Sequence, residues 1–66
     1  MKNKLKVERA INNLTQEELA KKVSVSRQTI NAMEANKYVP STVLALKIAR
    51  VFSKSVEDIF MLDDED

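Results

Sequence analysis

The chain has 66 residues, contains neither cysteine nor histidine, and carries a formal net charge of +1. A chain of this length forms at most one compact domain, which predicts a single domain over residues 1–66 and excludes a multi-domain enzyme. Without thiols or imidazoles there are no disulfides, thiolate nucleophiles or common zinc ligands, and we expect no metal site, no cofactor and no enzymatic activity.

The distribution of apolar residues argues against a membrane protein. No apolar run approaches the roughly 20 residues that a membrane span needs. The charged residues 1–4 are not followed by the apolar core of a signal peptide. We therefore expect a cytoplasmic protein that has no membrane contact and no small-molecule ligand.

The small net charge hides an uneven distribution. Residues 1–56 hold all 11 Lys and Arg and four acids, a net charge of +7, whereas residues 57–66 hold six acids and no base, −6. A basic body suggests a polyanion such as nucleic acid, although charge also keeps a small domain soluble. The acidic tail, residues 63–66, is either a solvated end or a device that weakens loose binding to that polyanion.

Apolar residues recur at intervals of three and four, which predicts an all-α fold of five short helices. Asn3 is the predicted cap of a first helix that runs to about Asn12. Thr15 and Glu18 have the spacing of a capping box, in which each side chain accepts the other's backbone N–H, and they predict a second helix over about 16–23.

The third predicted helix begins after Ser26 and runs over about 27–35. Its apolar residues Ile30 and Met33 should face the core. Asn36 follows this helix, and Asn is the best non-glycine residue for the left-handed conformation that often terminates a helix. Asn36 is therefore interpreted first as a backbone device and only second as a contact to a ligand.

Two more helix starts follow in the C-terminal third. Ser41 opens a fourth helix over about 42–53, and Ser55 opens a short fifth helix that ends near Phe60 or Met61. Steps of 100° along the fourth helix place one set of residues on the arc that faces the core. These are Thr42, Ala45, Ile48, Ala49 and Phe52.

The second and third helices, separated by a three-residue turn, have the dimensions of a helix-turn-helix. In such a unit the second helix enters the major groove of DNA with its N-terminal residues leading. Here Arg27, Gln28 and Asn31 occupy that edge, and Arg and Gln can pair bidentately with guanine and adenine. The alternative is that these residues are simply the solvated face of an amphipathic helix.

Several linked motifs resemble the lambda-repressor-like (Xre/Cro) DNA-binding family over about residues 4–60. The resemblance implies an all-α domain of five helices, with a helix-turn-helix at about 16–35, that regulates transcription. The motifs agree with the family in order and spacing. They comprise residues 14–23, 26–31, 34, 37–38, 40–41, 44–52 and 56–60.

The resemblance also assigns roles to particular positions. Arg27, Gln28 and Ala32 fall where the family reads bases, and Asn31 joins them on the exposed edge of the helix. A second set falls at phosphate-contacting positions or beside them: Gln16, Ser26, Thr29, Asn36, Lys37 and Tyr38. Arg9 and Glu34 match an ion pair that ties the first helix to the third.

The sequence departs from the family pattern at four places. The family often has Gly at Ser24, and its Asn-Gly after the Glu is replaced by an Ala-Asn that ends at Asn36. Glu8 stands where an aliphatic residue is common, so we expect Ile11 to supply the missing apolar group. Lys54 occupies a position that is usually Val.

Surplus apolar residues near the C-terminus suggest an interface between two copies of the chain. The candidates are Leu44, Val51, Met61 and Leu62, although ordinary exposure of apolar groups is an alternative. Small relatives in this family usually act as two-fold dimers. Some also pair their terminal segments as two strands, and residues 1–3 and 61–63 could do so here.

The leading interpretation is a DNA-binding transcription regulator, a repressor that binds double-stranded DNA at a palindromic operator as a homodimer. The rival is a helix-turn-helix protein-interaction module, such as an antitoxin or a coactivator-like adaptor. An adaptor should present an apolar face on the third helix. The polar and cationic face that the sequence predicts there favours DNA.

Overall fold

The computed structural model describes residues 1–66 and confirms the predicted helical fold. Five helices are flanked by two short strands at the chain termini. In chain order the elements are β1 Lys2–Asn3, α1 Leu5–Ile11, α2 Gln16–Val23, α3 Arg27–Glu34, α4 Thr42–Phe52, α5 Val56–Ile59 and β2 Phe60–Met61. None of the helices combines the length and the apolar character that a membrane crossing requires.

Side-chain caps fix where four of the helices begin. Thr15, Ser26, Ser41 and Ser55 each accept the backbone N–H of the residue three positions later, as their types predict. The capping boxes at Thr15 and Ser55 are both complete. These caps explain why the four predicted starts agree with the structure.

The prediction that Asn3 caps α1 is wrong. The residue in the cap position is Lys4, whose side chain makes no capping hydrogen bond. Asn3 lies one residue earlier, in β1, although its Oδ1 still accepts the backbone N–H of Leu5 at 3.1 Å. Because Asn3 has the extended backbone that pairs with β2, it does not occupy the cap position. Its side chain therefore reaches the first turn of α1 from β1.

A residue in the left-handed conformation follows the end of four helices within two positions, although the chain has no glycine. The backbone N–H of each such residue, and that of the next residue, donate to carbonyls of the last helical turn. This is the hydrogen-bond pattern of the Schellman motif, in which Gly is usual and Asn is the common substitute. The four residues are Asn13, Ser24, Asn36 and Ser53.

Ser53→Gly is expected to raise the free energy of unfolding by about 0.5–1 kcal/mol. Ser53 has φ 55°, and a Cβ in that conformation costs more than the extra chain entropy that glycine gives the unfolded state. Urea denaturation measures the change, and Ser53→Ala controls for the loss of the hydroxyl. Equal stability of the glycine and alanine variants would contradict a penalty at this position.

One hydrophobic core lies between the helices. Its 13 buried apolar residues come from α1 to α5 and from β2. The prediction for α4 is confirmed for four of the five residues, but Thr42 is exposed and Leu44 is 7% exposed instead. Because α4 packs against both α2 and α5, its buried arc extends to the side of Leu44.

The expectation that Ile11 fills the place of an aliphatic residue at position 8 is also wrong. Ile11 is 69% exposed, whereas Glu8 is 4% exposed. The Lys54 ammonium donates to Glu8 Oε2 at 2.9 Å from the turn between α4 and α5. Glu8 and Lys54 both depart from the family pattern, which has apolar residues at these positions. They compensate each other, because the buried Glu8 carboxylate has the Lys54 ammonium as its ionic partner.

The chain termini form a two-stranded antiparallel sheet. Lys2 pairs with Met61 and Asn3 with Phe60, so the predicted pairing exists one residue earlier in the C-terminal segment. This pairing ends α5 at Ile59, short of the predicted end, because Phe60 adopts an extended backbone.

The acidic tail lies beside this sheet. The N-terminal amine of Met1 is 2.9 Å from Asp63 Oδ2 and 3.1 Å from Asp66 Oδ2. Hydrogen bonds to the two carboxylates raise the pKa of that amine. Part of the tail is therefore tied to the other terminus of the chain.

Candidate nucleic-acid interface

Helices α2 and α3 form the expected helix-turn-helix. The turn between them contains Ser24, whose φ of 61° lets the chain reverse, and Ser26, which caps α3. The left-handed conformation at Ser24 is one that glycine adopts without a steric penalty, which agrees with the glycine of the family pattern at this position.

The two faces of α3 differ sharply in exposure. Ile30 and Met33 are buried, which holds the helix on the core. Arg27, Gln28 and Asn31 are exposed on the opposite side. Ala32, the fourth predicted base-reading residue, is half-buried, so only part of its methyl surface is available.

The structure brings the start of α2 to the exposed edge of α3. Gln16 Nε2 donates to Asn31 Oδ1 at 3.4 Å and to Glu34 Oε1 at 3.1 Å. Its Oε1 accepts from a terminal nitrogen of Arg27 at 3.4 Å. A predicted phosphate contact and two predicted base-reading residues therefore form one connected polar cluster, which their separation in the sequence does not reveal.

An ion pair behind this cluster fixes α3 to α1, as predicted. Arg9 contacts Glu34 through two nitrogens, at 2.6 and 3.1 Å, and donates to the Leu14 carbonyl at 2.9 Å. Burial alone would raise the pKa of the Glu34 carboxyl, but hydrogen bonds from Arg9 and Gln16 outweigh it and leave that pKa lowered. The hydrogen bond to Glu34 raises the pKa of Arg9.

Two predicted phosphate contacts lie at the N-terminus of α3. The hydroxyl oxygens of Ser26 and Thr29 are 3.0 Å apart, and Ser26 Oγ accepts the backbone N–H of Thr29 at 3.2 Å. Ser26 is exposed and Thr29 half-buried. In the absence of DNA, both hydroxyls therefore take part in hydrogen bonds at the start of α3, and the Ser26 side chain is still accessible to solvent.

The segment after α3 carries the remaining predicted phosphate contacts. Lys37 and Tyr38 are exposed, and Asn36 has φ 60°, which confirms its interpretation as a helix terminator. The amide of Asn3 donates to Asn36 Oδ1 at 3.0 Å and to the Met33 carbonyl at 2.8 Å. Sequence reasoning missed this support from β1, since no local pattern links residues 30 positions apart.

The predicted dimer-interface residues divide by exposure. Leu44 is corrected, because it is buried in the core of the single chain and is not surplus. Val51 and Met61 are half-buried, and Leu62 is exposed. Five further aliphatic residues that were not predicted as interface are more than half exposed: Val7 and Ile11 on α1, and Val39, Val43 and Leu46 at or beside α4.

Comparison with known proteins agrees with this geometry. A family model described as Helix-turn-helix matches residues 5–59. An uncharacterized HTH-type transcriptional regulator of Methanocaldococcus jannaschii is 61% identical over 66 residues, which is 100% of both chains. One from Archaeoglobus fulgidus is 54% identical over 66 residues, 100% of this chain and 93% of its own.

The similarity also reaches a bacterial protein. The uncharacterized HTH-type transcriptional regulator YgzD of Bacillus subtilis is 51% identical over 65 residues, 98% of each chain. The family match covers α1 to α5, which include the whole cluster around Gln16. The chain therefore belongs to the lambda-repressor-like (Xre) helix-turn-helix family of DNA-binding transcriptional regulators, which are not enzymes.

Proposed function

We propose that the protein is a sequence-specific repressor that binds a palindromic operator as a homodimer, with α3 in the major groove. The observation that carries this proposal is the exposed polar edge of α3. Arg27, Gln28 and Asn31 are exposed there, and α3 has no exposed large apolar side chain that a protein partner would bury. Their side chains can form bidentate or single hydrogen bonds to base edges.

The cluster around Gln16 supports a division of roles. Gln16 lies in the first turn of α2, where backbone N–H groups and the helix dipole favour a phosphate. Lys37 adds a cation after α3, and Ser26, Thr29, Asn36 and Tyr38 complete the proposed phosphate contacts. These contacts set the position of α3 on DNA, and the bases are read from α3 itself.

The size of the chain supports a two-fold complex. Its longest dimension is 31 Å, and half-sites for dimeric helix-turn-helix proteins lie about 34–36 Å apart. Two adjacent copies can therefore present their α3 helices to successive turns of the major groove. Occupancy of an operator is sufficient for repression, which needs no further activity from the protein.

The proposal is tested by selecting bound duplexes from a random pool and titrating the selected duplex with salt. We expect a palindrome, because a two-fold dimer reads both strands alike. A plot of log K against log salt should have a slope of about −2 or steeper, since each of two copies brings at least Lys37 to a phosphate. Weak binding without sequence preference would overturn the proposal and favour the protein-interaction module.

A further inference from the structure

Three shallow grooves join into one continuous apolar surface on the side of α4 and β2. The central groove, about 190 Å³, lies between the start of α4, α5 and Phe60. It shares Leu46 with a second groove on α4 and Phe60 with a third groove beside β2. We call this surface the α4–β2 face and define it by Val39, Val43, Leu46, Phe60, Met61 and Leu62.

The α4–β2 face holds four of the six aliphatic side chains that are more than half exposed, and the other two lie on α1. Leu46 is 57% exposed and Leu62 is 79% exposed, and Val39 and Val43 lie between these values. Single exposed aliphatic residues are ordinary, but a contiguous apolar patch indicates an interaction surface for another molecule.

Opposite charges flank the two ends of this face. Lys47 and Arg50 line the groove on α4, whereas Glu57 lines the groove beside β2. None of these three residues forms an ion pair within the chain, whose ion pairs involve other groups. The face therefore has a basic end, an apolar centre and an acidic end, with charges left for a partner.

We propose that a second copy of this chain covers the α4–β2 face, with Lys47 and Arg50 of each copy against Glu57 of the other. This inference rests on the proposed homodimer and specifies its interface. A two-fold axis through the central groove exchanges the two ends of the face, so each basic end meets an acidic end. A face with charges of one sign would repel its own copy.

The position of the face is compatible with simultaneous DNA binding. None of the three grooves is lined by a residue of α2 or α3. The polar edge of α3 is therefore free when two copies associate, and the interface can fix the spacing of the two α3 helices.

Charge reversal tests the arrangement in the full-length chain without DNA, with sedimentation equilibrium as the readout. We expect Lys47→Glu with Arg50→Glu to raise the dimer Kd at least about tenfold, because each attraction becomes a repulsion at two symmetric places. Glu57→Lys should act in the same direction. Lys22→Glu, an exposed reversal on α2, is the matched control and should leave the Kd unchanged.

The combination of all three reversals in one chain is the decisive variant. It restores opposite charges across the interface, and its Kd should return to within about threefold of the wild type. A combined variant as weak as its parents would overturn the inference. Circular dichroism checks that each variant keeps its helices.

Two outcomes separate this inference from the proposed function. A wild-type dimer that ignores every reversal would place the interface on another surface, which overturns the inference and leaves the homodimer intact. A chain that is monomeric both alone and on the selected operator would overturn the inference and the homodimer together. Binding of the wild-type chain to a duplex with a single half-site depends on α3 and not on the α4–β2 face. If that binding shows no preference for the selected half-site over other sequences, the proposed function is overturned, whatever the reversals do.

Discussion

Glu34→Ala is expected to lower the free energy of unfolding by about 2–3 kcal/mol, which lies between the range for an exposed ion pair and that for a fully buried one. The side chains of Arg9 and Glu34 are only 15% and 7% exposed. Without the carboxylate, the guanidinium of Arg9 keeps its charge and has no ionic partner in a poorly hydrated place. Gln16 loses its shortest side-chain hydrogen bond in the same variant.

Urea denaturation at neutral pH measures this loss. Glu17→Ala is the matched control, because Glu17 is an exposed carboxylate on α2 that forms no ion pair and should contribute less than about 1 kcal/mol. A Glu34→Ala variant that is no less stable than Glu17→Ala would show that the ion pair does not hold α1 to α3.

The same ion pair predicts how stability depends on pH. The pKa of Glu34 is lower in the folded chain than its ordinary value. Its stabilisation is therefore complete above the unfolded pKa, about 4.3, and is lost as the pH falls through the lower folded value. Compared with the wild type, Glu34→Ala should lose less stability over that acidic range.

The starts of four helices could be predicted because capping is local. Thr15 and Glu18 need only each other and the backbone between them, and Ser26, Ser41 and Ser55 act over the same three residues. Such contacts form whenever the helix forms. The residue types at these positions are therefore enough to predict where each helix begins.

The pair of Glu8 and Lys54 could not be predicted, because its members are 46 positions apart. Each residue alone is a departure from the family pattern. Only the fold shows that the turn after α4 places the Lys54 ammonium beside the buried carboxylate. The same limit explains why the contact of Asn3 with the end of α3 was missed.

The candidate site was predicted as residues but not as an arrangement. Spacing and resemblance identified Arg27 and Asn31 on α3, and Gln16 on α2. Their hydrogen bonds to one another depend on how α2 crosses α3, which is a property of tertiary packing. On α4, the choice between Thr42 and Leu44 for the core likewise depended on the neighbouring helices.

Arg27→Ala is expected to weaken binding by about 1–3 kcal/mol for each half-site, roughly 5- to 150-fold per half-site, and the losses of the two half-sites add in the whole operator. If Arg27 reads a base as proposed, alanine leaves that base edge without its hydrogen-bond partner. The loss should be confined to one base-pair position in each half-site, where the preference for the selected base falls toward zero. Fluorescence anisotropy with duplexes carrying each base at that position measures both effects.

Lys37→Ala is the matched control, since it removes a cation that we assign to phosphate. Its loss should be similar for every duplex, and the salt slope should become shallower by about 1 per half-site. If Arg27→Ala instead weakens all duplexes evenly and changes the salt slope in this way, Arg27 is a phosphate anchor and the base-reading assignment fails.

The hydrogen bond from Arg27 to Gln16 makes a further distinction possible. Gln16 Oε1 accepts from the guanidinium at 3.4 Å, so Gln16 orients Arg27 in addition to the phosphate contact that we propose for it. The cost of Arg27→Ala should therefore be smaller in a Gln16→Ala background than in the wild type, since the guanidinium is already less ordered there. Purely additive costs would mean that the two side chains act on DNA independently, despite their contact in the free chain.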